Sequence, residues 1–528
     1  FASTKLIPGG SADVTLGCVV KNWGNQAVNG TLSVLFNGQA LNVGVRNLAP
    51  NSEQTVLLTS RAFHALLIES PRLWWPWQMG QSSLYLADWS FWIDGQSHVS
   101  DTLNGWKVYL REVTSELDSN GHRLYKINKK PLLIRGAGWS PDLFLRVNAS
   151  RQLAEIKYVS HMNLNTIRME GKFEDERFYQ LCDEMGLLIM SGWCCCDAWQ
   201  RWPQWGTEQH FVAQESLRSQ IRRLRAHPSV FVFLVGSDTI PTQDVEKEFM
   251  TVFEAEYWPN PTLSSASAVP SKVTGPSGVK MSGPYSYVPP NYWLTDTQQR
   301  WGGAWGFLTE GGPGENPLTA ESIRRILPVE HQWPADDWWE YHAGNQRGFF
   351  GKLNRYMDPL FKRYGTPTSL DDFSRRSQAM AFEGHRAMFE AYTVKRYTST
   401  GLIQWMQNSA WLVSSLHFFT ISFHLFIHFI SFASEQQRPS MIWHLYDWFM
   451  VPDAVYFATR LACEPIHVMF AYNDRSVIVS NSLFDHYYTG MNVSTRAIAL
   501  DGTLLYSNSA AVGFIGPDTV INVGTVPE

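Results

Sequence analysis

Clustered positive charge is missing from this sequence. Its 43 Lys and Arg are outnumbered by 48 Asp and Glu, the formal net charge is −5, and no basic block stands out. Neither a nucleic acid nor a membrane surface is therefore expected as a partner. Cysteine is sparse as well. The six residues, Cys18, Cys182, Cys194, Cys195, Cys196 and Cys463, form no CxxC pair, so no metal site is expected. The run Cys194-Cys195-Cys196 reads as buried packing rather than chemistry. The sequence opens on Phe1 rather than on a leader pattern, so the compartment has to be read from other signs.

Apolar and aromatic residues are plentiful. At 528 residues and 44% hydrophobic content the chain can bury a large core in several domains. It holds 23 Trp, 20 Tyr and 30 Phe. Indole faces stack on the apolar side of pyranose rings, and they also fill sandwich and barrel cores. Three acceptor sequons, Asn29-Gly30-Thr31, Asn148-Ala149-Ser150 and Asn492-Val493-Ser494, suit a secreted, extracellular glycoprotein.

The pattern changes twice along the chain. Residues 1–112 read as a β-sandwich, with short runs such as Val14–Val20 and Gly30–Phe36 separated by turn signals such as Asn37-Gly38. Residues 113–465 alternate apolar strands with amphipathic helices. The strands are expected at Leu132–Gly136, Asn165–Met169, Leu187–Met190, Val230–Val235, Leu263–Ala266, Lys280–Pro284, Ala304–Thr309 and Leu402–Met406. Arg151–His161, Glu174–Met185, Glu208–Arg225 and Asp244–Tyr257 read as helices between them. Eight strands in one α/β region are the count for a (β/α)8 TIM barrel, whose active site lies where the strands end. Residues 466–528 return to a β pattern and read as the start of a second sandwich.

The strand ends are polar: Trp139-Ser140-Pro141-Asp142, Arg168-Met169-Glu170, Gly236-Ser237-Asp238, Tyr285-Ser286-Tyr287 and Glu310, with Trp405 and Asn408 from the last strand. Asp238 and Glu310 lie on strands four and seven, on opposite sides of a barrel mouth. Two such carboxyl groups could flank an anomeric carbon, one protonating the leaving oxygen and the other attacking. Taken alone, either could equally cap a helix or pair with a surface Arg.

Longer motifs carry a resemblance. They are Leu133-Ile134-Arg135-Gly136-Ala137-Gly138-Trp139-Ser140-Pro141-Asp142, Leu164-Asn165-Thr166-Ile167-Arg168-Met169-Glu170-Gly171, His227-Pro228-Ser229-Val230, Gly236-Ser237-Asp238, Ser282-Gly283-Pro284-Tyr285-Ser286-Tyr287 and Trp305-Gly306-Phe307-Leu308-Thr309-Glu310. With these the chain resembles glycoside hydrolase family 2, and within it the exo-β-D-glucosaminidase branch. The resemblance implies a TIM barrel flanked by immunoglobulin-like sandwiches. It further implies a retaining enzyme without cofactor, taken to be a monomer, that releases glucosamine from the non-reducing end of chitosan or chitooligosaccharides. Asp238 would be the acid/base and Glu310 the nucleophile.

Most of the family carries Asn-Glu where this chain has Ser237-Asp238, and that Asn donates to a sugar 2-hydroxyl. A 2-ammonium is all donor and positively charged, so it calls for an acceptor instead. Glu170 is expected to supply it, with Asp142 as second candidate. Tyr287 is expected on the nucleophile and Trp405 under the sugar; packing would serve equally well for both. The other family activities, β-mannosidase or β-galactosidase, and a sugar-binding product without turnover are the alternatives.

Two departures from the family stand out. The resemblance implies domains before residue 1 and after residue 528, so the chain reads as the central part of a longer enzyme. Leu412–Arg438 interrupts the family pattern, and its middle, Leu416–Phe432, is apolar and free of formal charge. A membrane span there would break the barrel, and His424 with His428 lacks a third ligand. A translated intron is the reading that fits such a segment.

Overall fold

The computed structural model describes residues 1–295, 303–343, 353–411 and 440–528. The anomalous segment 412–438 lies outside the described residues.

The expected strands form one all-parallel sheet: β1 (Ile134–Trp139), β2 (Thr166–Met169), β3 (Leu188–Gly192), β4 (Val230–Leu234), β5 (Thr262–Leu263), β6 (Val279–Lys280), β7 (Gly306–Gly311) and β8 (Ser399–Gln404). Their order is β5-β4-β3-β2-β1-β8-β7-β6. The sheet curls until its ends meet. The Thr309 hydroxyl lies 2.7 Å from the Ala266 carbonyl beyond β5 and 3.0 Å from the Lys280 carbonyl of β6. Ser277 Oγ donates to the Ser267 carbonyl at 2.6 Å across the same seam. β4 reads Val-Phe-Val-Phe-Leu and is buried throughout, the continuous apolar run expected of a parallel strand covered on both faces.

Local signals set the helix ends. Helix α1 (Ala149–His161) starts where Asn148 accepts from the Arg151 amide. Helix α2 (Glu176–Met185) is capped by Asp175 and stopped by Gly186 at φ 66°. Helices α3 (Thr207–Leu224) and α4 (Gln243–Ala255) follow β3 and β4. The helices pack their apolar stripes on the outside of the sheet in one large core with Ile156, Leu181, Leu217, Phe249 and Phe233.

A hairpin, Val113–Leu117 with Arg123–Ile127, plugs the N-terminal end of the strands. Its Tyr125 meets Phe231 and Phe307 edge-on at 4.9 and 5.8 Å, and each is the second residue of its strand. With that end filled by rings, polar side chains gather at the other.

The first 112 residues form two antiparallel sheets around a separate core of Val14, Leu16, Val34, Phe36 and Trp89. The last region holds a three-stranded sheet, Ile466–Phe470, Ser476–Asn481 and Thr519–Thr525, and the hairpin Tyr488–Ile498 with Leu504–Ile515. It is tied to the barrel where Arg396 and Tyr397 meet Asp518, Tyr397 at 2.5 Å.

Candidate active site

β2 sends Arg168 into the barrel, where only 1% of it is exposed. A guanidinium so placed must have acids around it. Nη1 donates to Glu310 Oε2 at 2.8 Å and to the Thr309 carbonyl at 3.0 Å. Nη2 donates to Ser237 Oγ at 2.8 Å and to Glu170 Oε1 at 3.1 Å. Its flat face lies 5.4 Å over the Trp405 ring. One side chain thus ties together the ends of β2, β4, β7 and β8.

Around it stand three carboxyl groups. Glu170, Asp238 and Glu310 each offer an oxygen within 4.8 Å of the other two. Glu170 and Glu310 are buried, whereas Asp238 keeps an exposed edge at the mouth. One guanidinium faces three acids, so a third negative charge is disfavoured. Burial pushes Glu310 up to about 7 against the pull of Arg168, with the charges of Glu170 and Asp238 adding to the rise. Loss of water and the charge of Glu170 raise Asp238, against Arg168 and Ser237. Asp238 has no direct ion pair with Arg168, so it is the member best placed to stay protonated.

Hydrogen bonds orient the other two. Tyr285, just past β6, donates to Glu310 Oε1 at 2.9 Å. Burial, then the charge of Glu310, pushes its phenol far up, so it remains a donor. Ser237 donates to Glu170 Oε1. Both hydrogen bonds to Glu170 converge on Oε1, and Oε2 has no hydrogen-bond partner among the described residues.

Three expectations need correction. The tyrosine on Glu310 is Tyr285, not Tyr287, whose hydroxyl instead meets Arg363. The chain turns sharply here at Gly283, φ 72°, and because residues two apart share a face in an extended strand, alternation could not choose between the two tyrosines. Asp142 is paired through both oxygens with Arg146, at 3.0 and 2.8 Å, and also caps the Phe144 amide. The cysteine run is not buried packing: Cys195 and Cys196 are partly exposed and joined to each other by a disulfide. Trp405 does lie in the cluster, 8% exposed beneath Arg168. It fits against β1 because residue 138 is Gly; a Cβ there would stand 2.5 Å from the indole.

Sequence reasoning gave Arg168 and Tyr285 no role. A charged residue in the otherwise apolar run Thr166-Ile167-Arg168-Met169 was the available signal for the first. Asn408, from the end of β8, holds the loop after β1 through both the amide and carbonyl of Ser140, at 2.8 and 2.9 Å.

Two groups among the described residues have the spacing of cation ligands: Glu170 with Asp238 and Glu310, and Cys195 with Cys196 and Asp238. In the first, Arg168 already supplies the positive charge. In the second, both sulfurs are committed to the disulfide. No helix among the described residues is long and apolar enough to cross a membrane.

No family model matches the chain. It is 35% identical over 522 residues to an exo-β-D-glucosaminidase of Amycolatopsis orientalis, covering 96% of this chain and 47% of that one. It is 32% identical over 523 residues to an exo-β-D-glucosaminidase of Hypocrea jecorina, covering 93% and 54%. The crystal structure of the Amycolatopsis orientalis exo-chitosanase CsxA superposes with a TM-score of 0.87 at 33% identity, covering all of this chain and 59% of that one. The chain spans about half the length of the curated relatives it matches.

Proposed function

The chain is homologous along nearly its whole length to the exo-β-D-glucosaminidases of glycoside hydrolase family 2, and on that premise we propose that it hydrolyses chitosan oligosaccharides from the non-reducing end with retention, releasing glucosamine. The observation that carries this reading is the carboxyl pair of Asp238 and Glu310, brought from β4 and β7 to oxygens within 4.8 Å of each other. Retaining glycosidases hold their two carboxyl groups about 5–5.5 Å apart, too close for a water between them.

In the first step Asp238 gives its proton to the glycosidic oxygen as the C1–O bond breaks. Glu310 Oε attacks C1 from the opposite face, and a covalent glycosyl-enzyme forms. In the second step Asp238, now ionised, takes a proton from water. That water attacks C1, Glu310 leaves, and the sugar departs with its original configuration. Arg168 and Tyr285 hold Glu310 by hydrogen bonds that favour its ionised form. Trp405 walls the site below Arg168.

Substrate choice rests on Glu170. Its Oε1 is fixed by Ser237 and Arg168, which leaves Oε2 to accept from a 2-ammonium. A neutral 2-hydroxyl would draw less from that charge, which weighs against a mannosidase or galactosidase. The exposed asparagines of all three sequons, Asn29, Asn148 and Asn492, support a secreted glycoprotein. We read 1–112 and 466–528 as immunoglobulin-like supports for the barrel domain 113–465, and the enzyme as a monomer.

The test is proton NMR of chitooligosaccharide hydrolysis by the full-length protein. β-Glucosamine should appear first, with the α anomer growing only by mutarotation. Initial α-glucosamine, or release of internal fragments only, would refute the proposal.

A further inference from the structure

The loop after β3 carries the one disulfide among the described residues, and it joins neighbours, Cys195 and Cys196. Gly171, just past β2, makes room for the loop: a Cβ there would stand 2.1 Å from the Cys194 Cα. The Cys196 amide donates to Gln200 Oε1 at 3.0 Å, and Cys196 itself sits in the left-handed region at φ 66°. The loop so held presents both sulfurs to a single carboxyl group. Cys195 Sγ lies 3.6 Å from Asp238 Oδ1, and Cys196 Sγ lies 3.6 Å from Oδ2. We infer that the Cys195–Cys196 disulfide is a redox-sensitive seat for Asp238, meeting each of its oxygens on one side with an atom that cannot donate a hydrogen bond. This rests on the reading of Asp238 as the general acid/base.

A disulfide sulfur carries no hydrogen. Its contact therefore removes water from a carboxyl oxygen and returns no donor, which favours the neutral acid. The other groups facing Asp238 divide in sign. Glu170 from β2 and Glu310 from β7 also favour the neutral form; Arg168 and the Ser237 hydroxyl oppose them, and the neutral Tyr285 phenol carries no charge. The disulfide tips this balance toward the protonated state that the first catalytic step needs.

Reduction reverses the effect. A dithiol attacks one sulfur and the Cys195–Cys196 bond breaks. The second thiol of the reductant then releases the mixed disulfide, and the reductant leaves as its own cyclic disulfide. Two electrons and two protons end on the two Sγ atoms. Each sulfur now carries an S–H beside a carboxylate oxygen. Hydrogen bonds to the charged form favour it, so Asp238 loses its proton at lower pH.

The experiment compares the full-length protein before and after dithiothreitol. Alkylation and mass analysis of the peptide holding these cysteines reads the bond, and kcat/KM against pH on an aryl β-glucosaminide reads the acid. Both thiols should alkylate only after reduction, and the basic limb should move down by about one pH unit. The double variant Cys195→Ala, Cys196→Ala should show no response to the reductant. Thiols that alkylate without reductant, a basic limb that does not move, or a shift that persists in the double variant would each overturn the inference. Asp238→Asn separates the two levels of the argument. Full turnover by that variant removes the acid/base assignment itself, whereas an inactive variant with an unmoved basic limb in the reduced parent removes the disulfide's role alone.

Discussion

Arg168 Nη1 stands 2.8 Å from Glu310 Oε2, a buried ion pair between residues 142 positions apart in the chain. The same guanidinium reaches Glu170 through its other terminal nitrogen. The expected nucleophile and the expected amine ligand therefore share one counter-charge, and moving either acid disturbs the other.

Arg168→Met tests that dependence. Breaking a buried pair by removing one partner leaves uncompensated charge and costs about 3–5 kcal/mol. Denaturant unfolding should show a loss of that order, and the acidic limb of the activity profile should move toward higher pH as Glu310 loses its cation. A stability unchanged from the parent would show that the cluster relaxes without Arg168.

Asp238→Asn and Glu310→Gln should each lower kcat by orders of magnitude with circular dichroism unchanged. Azide should partly rescue Glu310→Ala and yield the α-glycosyl azide, since it enters from the face Glu310 has vacated. Turnover close to the parent's in either carboxyl variant would refute the assigned roles.

Tyr285→Phe removes the 2.9 Å hydrogen bond to Glu310. A hydrogen bond to a charged group is worth about 1.5–3 kcal/mol, so kcat/KM should fall about ten- to hundredfold. The donor favours ionised Glu310, so its loss should shift the acidic limb of the pH profile upward. Tyr287→Phe, two residues on, should leave both nearly unchanged. The reverse pattern between the two tyrosines would restore Tyr287 to the role first expected of it.

Glu170→Gln keeps shape and removes charge. Against aryl β-glucosaminides kcat/KM should fall about ten- to hundredfold, the worth of one charged hydrogen bond. Aryl β-glucosides, slow with the parent, should lose far less because they carry no ammonium. Equal losses on the two sugars would show that Glu170 serves the Arg168 cluster rather than the amine.

Away from the site, His227 lies between Asp183, at 2.7 Å, and Glu176, at 3.1 Å. Burial opposes its charge, but the two acids outweigh burial and raise it to about 9 from an ordinary 6.5. A raised folded value stabilises fully below the unfolded value and fades as pH rises through the folded one. Stability should thus decline between about pH 6.5 and 9, by something on the order of 3 kcal/mol at 1.36 kcal/mol per unit. His227→Gln should flatten that part of the stability curve; a curve that keeps its slope in the variant would assign the decline elsewhere.

Six of the eight strands were legible as short runs buried on both faces, whereas β5 and β6 are two residues each and share only Leu263 and Lys280 with the runs expected there. Helix ends were legible within a residue or two: the helix expected over Glu174–Met185 begins at Glu176, where Asp175 caps it. Asp238 and Glu310 stood out as carboxylates at strand ends only together with the family motifs around them, since either alone could have been a helix cap or an ion-pair partner. Tyr285 was harder to find. Residues two apart share a face in an extended strand, so alternation offered no choice between Tyr285 and Tyr287, and past β6 the chain leaves regular structure and turns at Gly283. Asp142 looked free in sequence, yet Arg146 one helical turn away in number closes on it in a loop.

By itself, then, the sequence determined the order of elements, the barrel and the two carboxyl groups at its mouth, because these depend on local periodicity and on motifs read within a few residues. Tertiary structure alone decided how the acids share charge. Arg168 meets Thr309, Glu310, Ser237 and Glu170 only because closing the barrel brings the ends of β2, β4 and β7 together. The adjacent Cys195 and Cys196 were plain to see in the sequence, but that they face the two oxygens of Asp238 depends on where the loops after β3 and β4 come to rest. Proton affinity and orientation at this site depend on distances of 3–4 Å between groups that the chain separates by tens of residues or more. No local pattern encodes those distances; the packing does.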